Sequence, residues 1–165
     1  MIGGLPHRWA ARLAAIVVGI AAADGVLVYG WQLLGFSGWS FLLLLGFVSL
    51  LCSLAGVLGA VGTWRFRSWG WWLAAWFCLF GILGALVPYA IFGRRLGLGL
   101  FQIGWVLALG AGLTYLLTPS VRGAYRITAS LHAVLSRILG AALLCILVQF
   151  GYAAYVVVRE AWFSS

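Results

Sequence analysis

The sequence predicts an all-α fold: a polytopic transmembrane bundle of five hydrophobic helices, with a short amphipathic helix at the membrane surface between the fourth and fifth. Three observations predict it. Hydrophobic residues make up 65% of the 165 positions and charged residues only 7%, with a mean hydropathy of +1.15. A water-soluble domain carries about 25% charged residues, so too few polar groups are present here to coat a water-facing surface. The apolar residues also fall into runs of about the 20 positions that a helix needs to cross a hydrocarbon core of roughly 30 Å. Finally, arginine and tryptophan gather at the ends of those runs, where headgroups and indoles meet.

The first run covers residues 9–34 and follows the basic start Pro6-His7-Arg8-Trp9. Its length exceeds the apolar region of a signal peptide, so it is read as a retained span. The second covers 39–63, after the tight turn Gly35-Phe36-Ser37-Gly38. The third covers 69–92 after the basic turn Arg65-Phe66-Arg67-Ser68, and the fourth covers 98–117 after Gly93-Arg94-Arg95-Leu96-Gly97. Connections this short force neighbouring helices antiparallel. Pro88, late in the third span, removes one backbone bond and predicts a kink there. The fifth run covers 138–158. The five spans and their connections occupy 1–165 as a single transmembrane domain and leave no stretch for a separate soluble catalytic unit.

Residues 119–137 form the longest connection. Thr118-Pro119-Ser120 has the pattern of an N-cap with proline in the first turn. Val121, Tyr125, Thr128, Leu131 and Leu135 then recur at three- and four-residue steps, with Arg122, Arg126 and Arg137 on another line. That is the amphipathic pattern of a helix lying in the interface. A continuous extension of span five fits the same pattern, and the two alternatives stand open.

The net charge of +8 is carried by ten arginines and no lysine. In a soluble chain such a balance points to nucleic acid. Here the arginines sit at span ends, so the expected partner is anionic membrane lipid and nucleic acid is not expected. Arg8, Arg12, Arg65, Arg67, Arg122, Arg126 and Arg137 fall on the side holding the N-terminus, against Arg94, Arg95 and Arg159 on the other. The excess of arginine inside places the N-terminus in the cytoplasm, the C-terminus with Glu160 and Trp162 outside, and the chain in a bacterial inner membrane. Trp9, Trp64, Trp69, Trp71 and Trp72 supply the aromatic belt on the first side, and Trp31, Trp39 and Trp162 that on the second. Arg65, Arg67, Arg122, Arg126 and Arg137, with Trp64, Trp69, Trp71 and Trp72, are the expected headgroup contacts.

Lipid removes the hydrophobic drive between helices, so close packing and hydrogen bonds must hold them. The second span carries small residues at helical spacing: Gly46, Ser49, Ser53, Gly56, Ala60 and Thr63. The third carries Gly70, Ala74, Cys78, Gly81 and Ala85, and the fourth Gly104, Ala108 and Gly112. Spans two, three and four are expected to pack through these faces. Cys52, Cys78 and Cys145, each within a span and odd in number, fit small packing residues better than a disulfide or zinc site.

Asp24, near the middle of the first span, is the chemical outlier. An acid at that depth costs about 2.5–3.5 kcal/mol even on the lenient insertion scale, so it must face protein or a cavity. It is either a proton carrier, cation site or partner contact, or else a fastener to a neighbouring helix. Gln149, Tyr152, Tyr89 and Gln102 are its candidate partners, with Gln149 best matched in depth. Gln149 and Gln102 themselves suit interhelical hydrogen bonds. No paired carboxylate, nucleophile–histidine set or phosphate loop is present. His7 and His132 lie outside the spans, away from any haem-binding depth. No metal site is expected, and the sequence specifies no cofactor.

Two segments carry a resemblance. Gly62-Thr63-Trp64-Arg65-Phe66-Arg67-Ser68-Trp69-Gly70-Trp71-Trp72-Leu73 is similar to the turn between spans two and three of small uncharacterised bacterial multi-helix membrane proteins. Tyr115-Leu116-Leu117-Thr118-Pro119-Ser120-Val121-Arg122-Gly123-Ala124-Tyr125 resembles the end of their fourth helix. Those proteins are four-span units and have no assigned activity, so the resemblance implies a membrane bundle and nothing about chemistry.

By elimination the leading expectation is a non-enzymatic accessory subunit, a helical scaffold that meets other integral membrane subunits in a larger bacterial complex. The alternatives are a small transport component using Asp24 as an intramembrane proton or cation site, and a holder of a lipophilic cofactor such as quinone, carotenoid or pigment.

Overall fold

The computed structural model describes residues 5–35, 41–92 and 100–163, with side chains described except at 5–8, 41–45, 88–92, 100–102, 152–154 and 156–163. Six helices follow in order: α1 (Leu5–Gly35), α2 (Phe41–Trp64), α3 (Ser68–Phe92), α4 (Leu100–Leu117), α5 (Pro119–Ala124) and α6 (Leu131–Phe163). Helix makes up 92% of the structure, and no strand occurs among the described residues. Among the described residues four helices are long and apolar enough to cross a membrane, within Trp9–Gly35, Gly46–Trp64, Ser68–Val87 and Leu131–Gly151. A shorter apolar helix, Ile103–Leu117, accompanies them. The chain is a multi-pass helical membrane protein.

Helices α1 to α4 close a ring in which each touches its sequence neighbours and α4 returns to α1, while α6 lies against α3 and α2. The core runs through Val18, Ala22, Trp71, Ala74, Cys78, Leu116, Tyr125, Val134 and Ala142, all buried.

The small residues divide between two seams. Gly56, Gly59 and Gly62 of α2 face α3: a Cβ built on Gly59 would lie 2.8 Å from the Ala74 backbone nitrogen, and one on Gly62 would lie 2.6 Å from the Gly70 Cα. Gly70 is bound equally tightly, since a Cβ there would fall on the Gly62 backbone. Only residues without side chains allow backbones this close, and the approach recovers dispersion contact that lipid cannot supply. The expected face of α2 is thus partly redirected. Gly46, Ser53 and Ala60 meet α1 at Leu33, Gly25 and Gly19, while Ser49 meets α6 at Gln149. On α3, Gly70 and Ala74 face α2, whereas Cys78 and Gly81 face Gly112 and Leu109 of α4. Ala108 is half-buried, and Gly104 is exposed with open space beside it.

The arginine-rich end is held by two turns. After α2, the Phe66 N–H bonds to the Thr63 carbonyl at 3.0 Å and the Arg67 N–H to the Gly62 carbonyl at 2.9 Å. After α5, the Arg126 N–H bonds to Gly123 at 3.0 Å and the Ile127 N–H to Arg122 at 2.9 Å. Both are Schellman closures with a non-glycine residue in the left-handed position, Phe66 at φ 54° and Arg126 at φ 58°. The Tyr125 hydroxyl donates to the Thr63 carbonyl at 2.8 Å, and its ring stacks on Phe66 at 5.7 Å. The two turns are therefore bound to each other.

These closures divide 119–137, expected as one helix: 119–124 forms the short helix α5, and only 131–137 continues into span five, as the start of α6. Thr118 is the N-cap of α5 with Pro119 in its first turn, but its hydroxyl turns back to the Tyr115 carbonyl at 2.8 Å instead of capping. The helix stops after Ala124, and a new one starts at Leu131, where the Ser130 hydroxyl accepts from the Ala133 N–H at 3.3 Å. The break shifts the periodicity: Val121 and Tyr125 are buried, but Leu131 and Leu135 are exposed while Val134 and Ile138 take the inner positions.

Candidate functional site

A cavity of about 430 Å³ opens inside the bundle, between α1, α2, α3, α4 and α6. Its position follows from the packing. Near the arginine-rich end α2 and α3 touch backbone to backbone, but Gly84 meets nothing within 4 Å. Gly84, Ala85 and Gly81 leave the upper wall of α3 thin.

Asp24 and Val28 are exposed and form the rim, while Ser49, Ser53, Phe77, Leu109 and Gln149 are buried and form the floor. Gly25 permits this geometry. A Cβ there would strike the Ser53 side chain, so α1 rests directly on α2 beside Asp24. The floor is a bonded polar strip: the Gln149 Nε2–H donates to the Ser49 hydroxyl at 3.1 Å, and the Ser53 hydroxyl donates to the Ser49 carbonyl at 2.9 Å. Aromatic rings from Tyr29, Phe77, Phe80, Trp105 and Phe150 complete the wall.

Asp24 and Gln149 therefore share one cavity, yet the amide of Gln149 is spent on Ser49. Among the described residues no side chain is bonded to the Asp24 carboxylate, and no arginine lines the cavity. The side chains of Gln102, Tyr89, Tyr152, Pro88, His7, Arg8, Arg159, Glu160 and Trp162 lie outside the described set, as do Trp39, Arg94 and Arg95 altogether. Among the described residues no group of three or more His, Cys, Asp or Glu is placed to hold a metal ion.

The expected interface residues separate by burial. Arg65, Arg67, Arg126 and Arg137 are exposed, as are Trp64 and Trp69. Arg122 is half-buried and donates from its Nη1–H to the Ala129 carbonyl at 3.0 Å. Trp72 is half-buried, edge-on to Trp71 at 5.1 Å. Trp71 is fully buried, and its indole N–H donates to the Leu116 carbonyl at 3.0 Å, so it joins α3 to α4 and does not reach headgroups. Arg12 stacks against Trp64 at 5.2 Å and Trp9 at 5.6 Å, cation–π contacts that fix the start of α1 to the end of α2.

Sequence reasoning missed Ser49 and Ser53 as cavity residues, and Gly59 and Gly62 as the tightest seam. The only available signal was the three-residue step Gly56-Gly59-Gly62. The chain matches no protein-family model, no curated protein and no solved structure, so the chemistry of the cavity itself carries the functional reading.

Proposed function

We propose that this is a non-enzymatic five-span membrane protein acting as a small transport or ligand-binding component, with Asp24 as its intramembrane site. One observation carries the reading: an acid near the middle of α1 stands at the rim of a cavity whose floor is the Ser49–Ser53–Gln149 strip. An ionisable side chain at that depth marks a pathway or binding site by default. A concave, mostly apolar space with a few convergent polar groups is the usual form of a small-molecule site.

The fifth crossing is α4. Its 18 residues at 1.5 Å each span about 27 Å, close to the hydrocarbon thickness, and it walls the cavity between α3 and α1. The arginine excess at the Arg65–Arg67 end supports a cytoplasmic N-terminus and an external C-terminus in a bacterial inner membrane. Reporter tags on the two ends should then lie on opposite sides.

The test is electrical. Purified protein in proteoliposomes on a solid support is challenged with a panel of monovalent ions and small amines. Wild type should give transient charge movements that Asp24→Asn abolishes while eluting as wild type on gel filtration. Equal currents in both, or none from any challenge, would remove the reading.

A second reading, the accessory subunit, is favoured by α6. Leu131, Leu135, Leu139, Leu143 and Leu147 form an exposed row at four-residue steps along its outer face, a surface for lipid or a partner helix. Mild-detergent purification that retains stoichiometric companions supports it, and a lone monomer counts against it.

A further inference from the structure

We infer that the cavity binds a lipophilic organic cation, an amine or onium group carried on an apolar body. The inference rests on the transport or ligand-binding reading above and names the chemical class of its ligand.

Charge comes first. The Asp24 carboxylate is the acid of the cavity, and among the described residues it has no bonded partner and no arginine joins it in the lining. When ionised, that carboxylate repels an anion and gains no compensating charge from a neutral ligand. A cation supplies the missing charge.

The remaining walls select the kind of cation. A bare metal ion takes 6–8 oxygen ligands if it resembles calcium, or near-ideal octahedral geometry if it resembles magnesium. Here the lining offers a single carboxylate, beside a Gln149 amide that donates to the Ser49 hydroxyl and a Ser53 hydroxyl that donates to the Ser49 backbone carbonyl. An organic cation asks for less. It needs one carboxylate, ring faces, which attract a cation within about 6 Å, and apolar wall for its body. Phe77, Phe80, Trp105 and Tyr29 supply the rings. The space of about 430 Å³ lies in the range of small-molecule pockets. The path also fits: Asp24 and Val28 stand exposed beside Ile20 and Leu27 on the outer face of α1, so an amphipathic cation held in the bilayer meets the carboxylate first.

The experiment uses two probes of nearly the same shape and opposite charge, radiolabelled tetraphenylphosphonium and tetraphenylborate, in equilibrium dialysis against the full chain in detergent. Binding is counted as the part displaced by excess unlabelled probe. Wild type should bind tetraphenylphosphonium saturably, one per chain, and show no saturable tetraphenylborate binding. Asp24→Asn should weaken the cation at least tenfold. Asp24→Glu should stay within severalfold of wild type, which separates loss of charge from loss of fold. Phe80→Leu, which keeps bulk but removes a ring, should weaken it about 2–30-fold, the range of a cation–π contact. Tetraphenylborate binding as well as tetraphenylphosphonium, or undiminished cation binding by Asp24→Asn, overturns the inference. If tetraphenylphosphonium does not bind but inorganic ions drive Asp24-dependent currents, the organic class falls and the transport reading stands. If neither occurs, both fall.

Discussion

Replacing Gly62 by alanine tests whether α2 and α3 are held by backbone contact. The added Cβ would lie 2.6 Å from the Gly70 Cα and 2.8 Å from the Trp69 ring, where ordinary contact begins at 3.4 Å. The difference, 3.4 − 2.6, requires the helices to part by 0.8 Å. Trp69 can swing aside, but the Gly70 backbone cannot. A gap of 0.5–1 Å forfeits roughly a quarter to a half of each dispersion contact along the seam, and overpacking of this kind costs about 1–3 kcal/mol. Alanine returns about 1 kcal/mol of helix propensity, leaving a net loss of up to about 2 kcal/mol. At about 2–4 °C per kcal/mol for a chain of this size, the midpoint falls by up to roughly 8 °C. The chain carries its own reporter: Cys52 and Cys78 are buried free thiols, so a thiol-reactive dye that fluoresces on attachment follows thermal unfolding in detergent. Gly84→Ala and Gly104→Ala, where nothing lies within 4 Å, are the controls and should melt at or above the wild-type temperature. Equal midpoints for Gly62→Ala and these controls would refute the backbone seam.

Two further substitutions probe the arginine-rich end. Trp71→Phe deletes the donor to the Leu116 carbonyl and removes one ring of a fully buried side chain. A hydrogen bond between membrane helices contributes about 0.6 kcal/mol on average and up to about 1.7, and the void left by the lost ring adds to that, so the same dye assay should register a fall larger than the bond alone; none at all would show that the indole neither bonds nor packs there. Burial, with the neighbouring Tyr115 adding to it, pushes the Tyr125 phenol up to about 12. Because the folded state holds the proton more tightly than the unfolded chain, where tyrosine titrates near 10, this stabilisation is complete below about pH 10 and is lost as pH rises toward 12. Tyr125→Phe should therefore be the less stable protein at pH 8, through loss of the bond to Thr63, and should lose less of its stability between pH 10 and 12. Parallel pH profiles would show that the phenol does not ionise in that window.

Hydropathy alone was enough to place the first four helices. Boundaries expected at 9–34, 39–63, 69–92 and 98–117 lie within a few residues of Leu5–Gly35, Phe41–Trp64, Ser68–Phe92 and Leu100–Leu117, because the bilayer sets the length of an apolar run. The connection before α6 was harder. Its three- and four-residue periodicity continues through a break at Arg126, whose left-handed backbone would ordinarily ask for glycine. Beside the break Tyr125 stacks on the distant Phe66 and bonds to Thr63, and local pattern holds no trace of such contacts. Trp71 and Trp72 are alike as sequence, adjacent at one span end, but differ by about 100° around α3, which carries one into α4 and leaves the other half-exposed. Asp24 announced itself by cost alone. Its cavity did not, because periodicity says which residues share a face and is silent on which neighbour that face meets.

The same division of small residues explains why a packed membrane bundle contains a cavity at all. Glycine on both sides of a seam draws backbones together, and α2 and α3 do this at Gly59, Gly62, Gly70 and Ala74. Farther along, the pairing changes character: Gly56 is covered by the Phe77 ring, with a would-be Cβ only 2.6 Å from it. A ring over a glycine wedges the helices apart from that point on, and the next small residues of α3, Gly81, Gly84 and Ala85, have no large side chains of their own to fill the widening gap. On the opposite wall Gly25 brings α1 against Ser53 and carries Asp24 with it. The tight seam, the wedge and the acid are thus consecutive steps of one packing scheme: rigidity at the arginine-rich end holds open the space that Asp24 overlooks. Shortening the wedge by Phe77→Ala should let α2 and α3 close over the cavity and diminish binding of a bulky cation by more than Phe80→Leu does, since the latter removes a ring of the same wall and leaves the seam alone; equal losses would show that Phe77 acts only as a ring.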